Sequence, residues 1–229
     1  MAKRSSRLSY GECLGVIKDF GVRVSRSLFG GIILSPNDPR GDLFHPETPA
    51  FSEVKASGLS GGPLVVLTQL ERHQENLESH DHLYSFVLYK DRGRHRGKRR
   101  NLPIRMGKNE HTLRKFLAVN ARRVYRIHLS IVLATVRAHP EWIKTYQMAR
   151  GPKTYLRIPP KHLEKLAGTD LETWQSLSLN PSDYQFQECR DVVRFRNYRV
   201  SVLVYRITPI VATDDSFDPE VLDRQSATV

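Results

Sequence analysis

Three residues of the chain, Asp42, Glu53 and Lys55, have the types and the spacing of a site that binds a divalent cation. Glu53 and Lys55 are separated by one residue, so a strand over this segment directs both side chains to one face. Asp42 can lie beside them if residues 41 to 45 form an adjacent antiparallel strand. Two carboxylates this close repel unless a cation neutralises them, and Mg²⁺ prefers one or two carboxylates with waters and a phosphate oxygen. The Lys55 ammonium would lower the pKa of a metal-bound water or stabilise the extra negative charge of a phosphoryl-transfer transition state.

Local patterns predict the elements that must position these residues. Ser9 and Glu12 have the spacing of a capping box, which predicts a helix over residues 9 to 26. Short apolar or alternating runs predict strands over residues 31 to 35, 41 to 45, 50 to 56 and 83 to 89, and leucine spacing predicts a helix over residues 64 to 79. The order is helix, three strands, helix and strand, which predicts a compact α/β unit over residues 8 to 90.

This unit resembles the restriction-endonuclease-like nucleases, the PD-(D/E)xK superfamily, whose motif is an Asp followed by Asp/Glu-x-Lys on a β-hairpin between two helices. The matching residues are Gly41-Asp42-Leu43 and Glu53-Val54-Lys55, the latter being the only Asp/Glu-x-Lys triplet in the chain. The family often has Pro before the first Asp, where this chain has Gly41. Asp38 is a second candidate for the first ligand.

The resemblance implies a metal-dependent endonuclease that hydrolyses phosphodiester bonds of nucleic acid, with DNA as the expected substrate. Asp42 and Glu53 would hold Mg²⁺ or Mn²⁺, the Val54 carbonyl would complete the metal shell, and Lys55 would be catalytic. Some members add an acidic residue from the first helix and a Gln from the second, and Glu12 and Gln69 are the residues here in those positions. Glu12 is better explained by the capping box, and Gln69 by an exposed helix face.

Positive charge is concentrated in one part of the chain. The chain has 36 Lys and Arg against 24 Asp and Glu, a net charge of +12, and the segment from Arg92 to Arg126 alone contains 13 basic residues and one acid, Glu110. Like charges packed this densely are typical of polyanion binding. We predict that six residues contact nucleic acid: Arg92, Arg94, Arg96, Lys98, Arg99 and Arg100. A nuclear-localisation-like or ribosome-directed segment is the alternative for this run, and a non-catalytic nucleic-acid-binding protein is the alternative for the whole chain.

The remaining residues predict an accessory region. Residues 91 to 109 are predicted to be a basic connector, residues 110 to 212 an α/β region that begins with a helix over 111 to 138, and residues 213 to 229 an acidic disordered tail. His73, His80 and His82 are better explained by a polar loop at the end of a helix than by a zinc site.

Composition excludes several classes of protein. The chain has 229 residues, 39% of them hydrophobic, without an apolar run near 18 residues, so we expect neither a membrane span nor a secretory signal. Two distant cysteines, Cys13 and Cys189, cannot build a disulfide framework, and a reducing cytoplasmic setting is expected. The sequence leaves open a homodimer or a protein partner.

Overall fold

The computed structural model describes residues 7–75, 81–95, 98–101, 109–148, 151–195 and 197–210. Predictions that concern Arg96, His80 and the tail from residue 213 therefore lie outside the described residues. The side chains of the hairpin residues 92–95 and 98–101 are likewise not described.

Helices and strands alternate along the chain. The first half contains α1 (Tyr10–Phe29), β1 (Ile32–Ile33), β2 (Leu43–His45), β3 (Ala50–Gly58), β4 (Leu64–Val66), α2 (Leu67–Glu75), β5 (Asp81–Tyr89), β6 (Arg92–His95) and β7 (Lys98–Asn101). The second half contains α3 (Glu110–Asn120), β8 (Ala121–His128), α4 (Leu129–Ala138), β9 (Ile143–Met148), β10 (Gly151–Arg157), α5 (Pro160–Ala167), α6 (Leu171–Ser176), β11 (Tyr184–Phe195) and β12 (Tyr198–Pro209). The mixed α/β class predicted from the sequence is confirmed.

One mixed sheet of seven strands, in the order β1-β2-β3-β5-β8-β12-β11, forms the centre of the described fold. Its neighbours are antiparallel except for β3 with β5 and β8 with β12, which are parallel. A three-stranded sheet (β4-β10-β9) and the β6-β7 hairpin are separate. Because β5 pairs with β8, strands from before residue 91 and after residue 109 belong to one sheet. The predicted division into a core and an accessory region stays a prediction.

The two faces of the sheet bury separate cores. The first core lies under α1 and α3, and the second lies under α2, α4, α5 and α6. Strand β5 shows the alternation directly, since Val87 and Tyr89 belong to the first core and Tyr84, Phe86 and Leu88 to the second. A side chain's face can therefore be assigned from its position in the strand.

Helix α1 packs closely against β3 at Gly21. A Cβ at this position would lie 2.7 Å from the Cβ of Ala56, closer than real carbon atoms approach. The missing side chain lets the helix lie directly on the strand, which fixes the height of the other α1 residues above it.

The predicted helix over residues 111 to 138 is wrong in its middle. Residues 121 to 128 form the strand β8, between α3 and α4. In β8, Val124, Tyr125 and Ile127 are fully buried because the strand pairs on both edges and has helices over both faces. Tertiary packing overrides the local helical spacing here. The predicted helix over residues 64 to 79 similarly begins with a strand, β4, whose edge is completed by β10.

Among the described residues, no helix is both long and apolar enough to cross a bilayer.

Candidate functional site

Asp42 is held against β3 by two hydrogen bonds to the β3 backbone. It lies just before β2, its N-H donates to the Ser52 carbonyl at 2.9 Å, and its Oδ2 accepts from the Val54 N-H at 2.9 Å. The preceding Gly41 has a φ of +142°, and a Cβ there would lie 2.8 Å from the Ser52 carbonyl oxygen. Proline, with φ near −65°, cannot adopt this conformation. The departure from the family pattern at Gly41 thus has a local structural reason.

Glu53 and Lys55 lie on one face of β3, as their spacing predicts. Val54 packs into the first core between them, so Glu53 and Lys55 face the side that α2 covers. Glu53 is only 2% exposed, and Lys55 Nζ donates to its Oε1 at 2.5 Å and to Gln69 Oε1 at 3.0 Å. The structure therefore brings Asp42, Glu53, Lys55 and Gln69 together. Gln69 is in direct contact with the lysine, rather than only on an exposed helix face.

A second lysine, Lys18 of α1, completes the cluster and was not identified from the sequence. Its Nζ lies 3.0 Å from Asp42 Oδ1, and half of its side chain is exposed. Burial is the largest single effect and lowers the pKa of Lys18, but the charge and hydrogen bond of Asp42, together with the charge of Glu53, outweigh it, so the net pKa is raised. Two carboxylates and two ammonium groups thus balance in charge. Only the packing of α1 on β3 could have placed Lys18 here, and no short motif signals it.

The Glu53 carboxylate is electrostatically strained. Burial raises its pKa, and the nearby charge of Asp42 raises it further, whereas Lys55 and Lys18 lower it without cancelling the increase. Only one Glu53 oxygen, Oε1, has a hydrogen-bond partner among the described residues. A buried carboxylate with a raised pKa and an unused oxygen gains from any further cation nearby.

His73 and Tyr84 form the wall behind this cluster. Tyr84 is the register partner of Glu53 on β5, and its hydroxyl lies 2.9 Å from His73 Nδ1. Burial lowers the pKa of His73 to about 4. His73 also stacks on His82, with ring centroids 4.2 Å apart, and both rings are fully buried. This buried pair of stacked rings supports packing in the wall.

Two other candidates have different partners. Glu12 is exposed and closes the predicted capping box, with its Oε2 accepting from Ser9 N-H at 2.7 Å and its own N-H donating to Ser9 Oγ at 3.2 Å. Asp38 binds the Arg40 guanidinium at 3.0 and 2.8 Å. Asp42, rather than Asp38, is the aspartate that binds β3 at Val54 and whose charge acts on Glu53. The metal-binding role of Glu12 stays a prediction, and the contacts of the cluster do not include it.

The residues that could hold a metal are the two carboxylates and a backbone oxygen. A strand residue directs its N-H and C=O to the same neighbour. Since the Val54 N-H binds Asp42, the Val54 carbonyl is directed to the same side. Within the described ranges, no three His, Cys, Asp or Glu side chains lie together as a metal-binding group.

The basic run begins as an antiparallel hairpin, in which Arg92 is opposite Asn101 and His95 is opposite Lys98. The predicted contacts of Arg92, Arg94, Lys98, Arg99 and Arg100 concern side chains that are not described. Beside the start of this hairpin lies a groove of about 760 Å³, whose lining includes five basic side chains: Lys90, Arg122, Arg123, Lys161 and Arg190. Its acid, Glu164, pairs with Arg123. The groove therefore has a positive surface.

Comparisons of the chain with protein-family models, with curated proteins and with solved structures give no match. Function is therefore inferred from the geometry and charge of these sites.

Proposed function

We propose that this protein is a divalent-metal-dependent nuclease that hydrolyses phosphodiester bonds of DNA. The observation that carries the proposal is that Asp42, Glu53, Lys55 and Gln69 lie close together. Lys55 binds both Glu53 and Gln69, and Asp42 accepts a hydrogen bond from the backbone N-H of Val54, the residue between Glu53 and Lys55. These residues come from a strand end, a strand and a helix. Chance matches to a short motif have no reason to assemble in this way.

The arrangement of elements supports a restriction-endonuclease-like core. Strands β1, β2 and β3 are sequential antiparallel neighbours, and β5 is added parallel to β3 after the crossover through α2. Helix α1 covers one face of β3, and α2 lies on the other face. The insertion of β4 between β3 and α2, and the extension of the sheet by β8, β12 and β11, are additions to this core.

The donor set fits Mg²⁺ or Mn²⁺. Asp42 and Glu53, with the Val54 carbonyl, would hold the ion, because hard cations prefer oxygen ligands and accept waters for the remaining positions. When bound, such an ion activates a water and neutralises charge on the phosphate. Lys18 is half exposed, so its ammonium can leave Asp42 for solvent or for a phosphate oxygen.

Lys55 and Gln69 supply the remaining chemistry. The Lys55 ammonium is held between Glu53 and Gln69, so its position is fixed before substrate arrives. A preorganised positive charge next to the reacting phosphate stabilises negative charge that develops on it. Gln69 accepts a hydrogen bond from Lys55 and is therefore a positioning residue.

The basic groove offers a path for the nucleic-acid backbone. It begins at Leu59, four residues after Lys55, or about 13 Å along an extended chain. A strand of DNA that passes over Lys55 can reach this groove and the hairpin that follows Lys90 within a few nucleotides. Phosphate contacts of this kind give affinity and orientation with little sequence preference.

The test is cleavage of supercoiled plasmid, single-stranded DNA and RNA with Mg²⁺, Mn²⁺ or EDTA. We expect metal-dependent cutting of DNA that is lost in Lys55→Ala and in Asp42→Asn, with DNA binding retained in a gel-shift assay. Lys144→Ala, an exposed lysine on β9, is the matched control and should cut normally. Thermal melting of each variant separates loss of chemistry from loss of the fold.

A non-catalytic DNA-binding protein is the second candidate. One observation favours it: each carboxylate of the cluster already has a lysine partner, as in a purely structural ion-pair network. Intact but retarded DNA in every lane, with no metal-dependent change in melting temperature, would establish this function instead.

A further inference from the structure

A cavity of about 900 Å³ lies beside the sheet, beyond the C-terminal end of α1. Arg126 of β8 and Arg206 of β12 line it and are direct register partners in neighbouring parallel strands. Both side chains share the face of Val124 and Val204, which belong to the first core. This face is opposite to the one that Glu53 and Lys55 occupy. The cavity is thus separate from the proposed nuclease site, and a ligand bound in it would be independent of the nuclease activity.

Neither arginine has an acidic partner in the part of the chain that the structure describes. Arg206 donates to Gln187 Oε1 at 2.7 Å and to the Leu28 carbonyl at 3.5 Å, whereas Arg126 has no hydrogen bond or ion pair among the described residues. The Nε atoms of both are buried and have no hydrogen-bond partner within the described ranges. Both guanidinium groups lie over the Phe29 ring, at 4.7 and 5.2 Å from its centroid. Burial, and then the charge of Arg206, lower the pKa of Arg126 to about 10.

The carboxylates of the cavity do not neutralise this pair. Glu47 and Asp81 also line the cavity, but both are exposed at its rim. Asp81 pairs with His128 at 3.3 Å, and neither acid forms an ion pair with an arginine that the structure describes. His45 binds Ser52 Oγ at 2.8 Å, and burial together with Arg126 lowers its pKa to about 4, so it is neutral at physiological pH. The inner part of the cavity therefore has two positive charges and no negative one among the described residues.

Unpaired, partly buried guanidinium groups side by side are unfavourable for folding, because each loses hydration and repels the other. An anion bound between the two guanidinium groups would offset this cost. Arginine matches the oxygens of phosphate with two parallel hydrogen bonds, and a phosphate monoester has close to two negative charges at neutral pH, whereas a carboxylate has one. The volume of the cavity is in the range of small-molecule sites. We propose that this cavity binds a phosphate monoester on a molecule of up to nucleotide size, with Arg126 and Arg206 holding the phosphate.

The experiment measures binding of inorganic phosphate, adenosine monophosphate and adenosine by calorimetry and thermal melting at constant ionic strength. Wild-type protein should bind both phosphates and be stabilised by them, and adenosine should have no effect. Loss of one charge-assisted contact should weaken binding about tenfold or more in Arg126→Gln and in Arg206→Gln. Arg199→Gln, an exposed arginine on the same strand as Arg206, is the control and should bind like the wild type.

Two additional measurements test the role of the guanidinium group and the source of the phosphate. Arg206→Lys retains the charge but loses the planar fork, so it should recover part of the affinity lost in Arg206→Gln. An oligonucleotide with and without a 5′ phosphate distinguishes a strand end from a free nucleotide as the source of the monoester. Failure of the wild type to bind any phosphate at millimolar concentration, or equal binding by Arg126→Gln and wild type, would overturn the proposal. Plasmid cleavage is not the readout, so the nuclease proposal succeeds or fails separately.

Discussion

Replacement of Lys55 by Met should destabilise the protein, because it leaves Glu53 buried without its closest partner. Loss of one partner of a buried ion pair typically costs about 3 to 5 kcal/mol. The side chain of Lys55 is 18% exposed and that of Glu53 is 3% exposed, so the pair is close to fully buried. Lys18 remains nearby and the carboxyl group can take up a proton, so we expect a smaller cost, about 2 to 3 kcal/mol at pH 7. For a chain of this size, that corresponds to a fall in melting temperature of about 5 to 10 °C.

The pH dependence identifies Glu53 as the cause. A carboxyl group whose pKa is raised in the folded state binds more protons when folded, so its contribution to stability decreases as pH rises. Burial raises the pKa of Glu53 in the wild type, and the charge of Lys55 partly opposes this increase. Without Lys55, the pKa of Glu53 should therefore be higher than in the wild type. The difference in stability between Lys55→Met and wild type should therefore shrink as pH falls through the raised Glu53 pKa.

Urea denaturation at several pH values, with a double-mutant cycle, measures this effect. Glu53→Gln alone should be within about 1 kcal/mol of wild type or more stable, because it removes a buried charge and keeps the shape. The double variant Glu53→Gln/Lys55→Met should recover most of the lost stability. Lys144→Met is the exposed control. A loss below about 1 kcal/mol in Lys55→Met at pH 7, or a loss that does not depend on pH, would refute the description of a buried, strained pair.

Three further predictions concern packing, metal and DNA. Gly21→Val should lower stability by about 1 to 3 kcal/mol, since the new side chain meets Ala56, whereas Gly15→Ala, with open space around its Cβ, should raise stability in a thermal melt. Mg²⁺ at 100 times its Kd should raise the melting temperature by about 5 to 10 °C in the wild type and have no such effect in Asp42→Asn; an equal shift in both would place the ion elsewhere. Replacement of Arg122, Lys161 and Arg190 by Gln should reduce the slope of log K against log salt for DNA binding by up to about 3, measured by fluorescence anisotropy; an unchanged slope would exclude the groove from the interface.

The first half of the chain could be predicted from the sequence because its signals are local. The capping box of Ser9 and Glu12 marks the start of α1, and the alternation of residues 50 to 56 marks β3. Period-two alternation alone places Glu53 and Lys55 on one face. Lys18 had no such signal, because its contact with Asp42 depends on the height and angle at which α1 crosses β3.

The second half was harder to predict because its central strand is buried on both faces and has a mixed sequence. Arg122, Arg123 and Arg126 interrupt the alternation of β8, so the segment fits a charged helix face equally well. Its strand conformation is determined by pairing with β5 and β12, which are distant in the sequence. Strand β11, with mostly exposed residues at an edge of the sheet, was missed for a related reason.

The misassigned strand had a functional consequence. In a helix, Arg126 belongs to an exposed basic face together with Arg122 and Arg123, and its charge needs no partner. In a parallel strand beside β12, the same residue faces the first core next to Arg206, where burial and the charge of Arg206 disfavour its charged form. Water stabilises the charge of a basic residue on a surface helix, whereas the same charge in a sheet interior is unfavourable without a partner. Only the second case indicates a ligand. The assignment of β8 as a strand is therefore what separates a diffuse basic surface from the proposed phosphate pocket, and the Arg126→Gln and Arg199→Gln variants test that proposal directly.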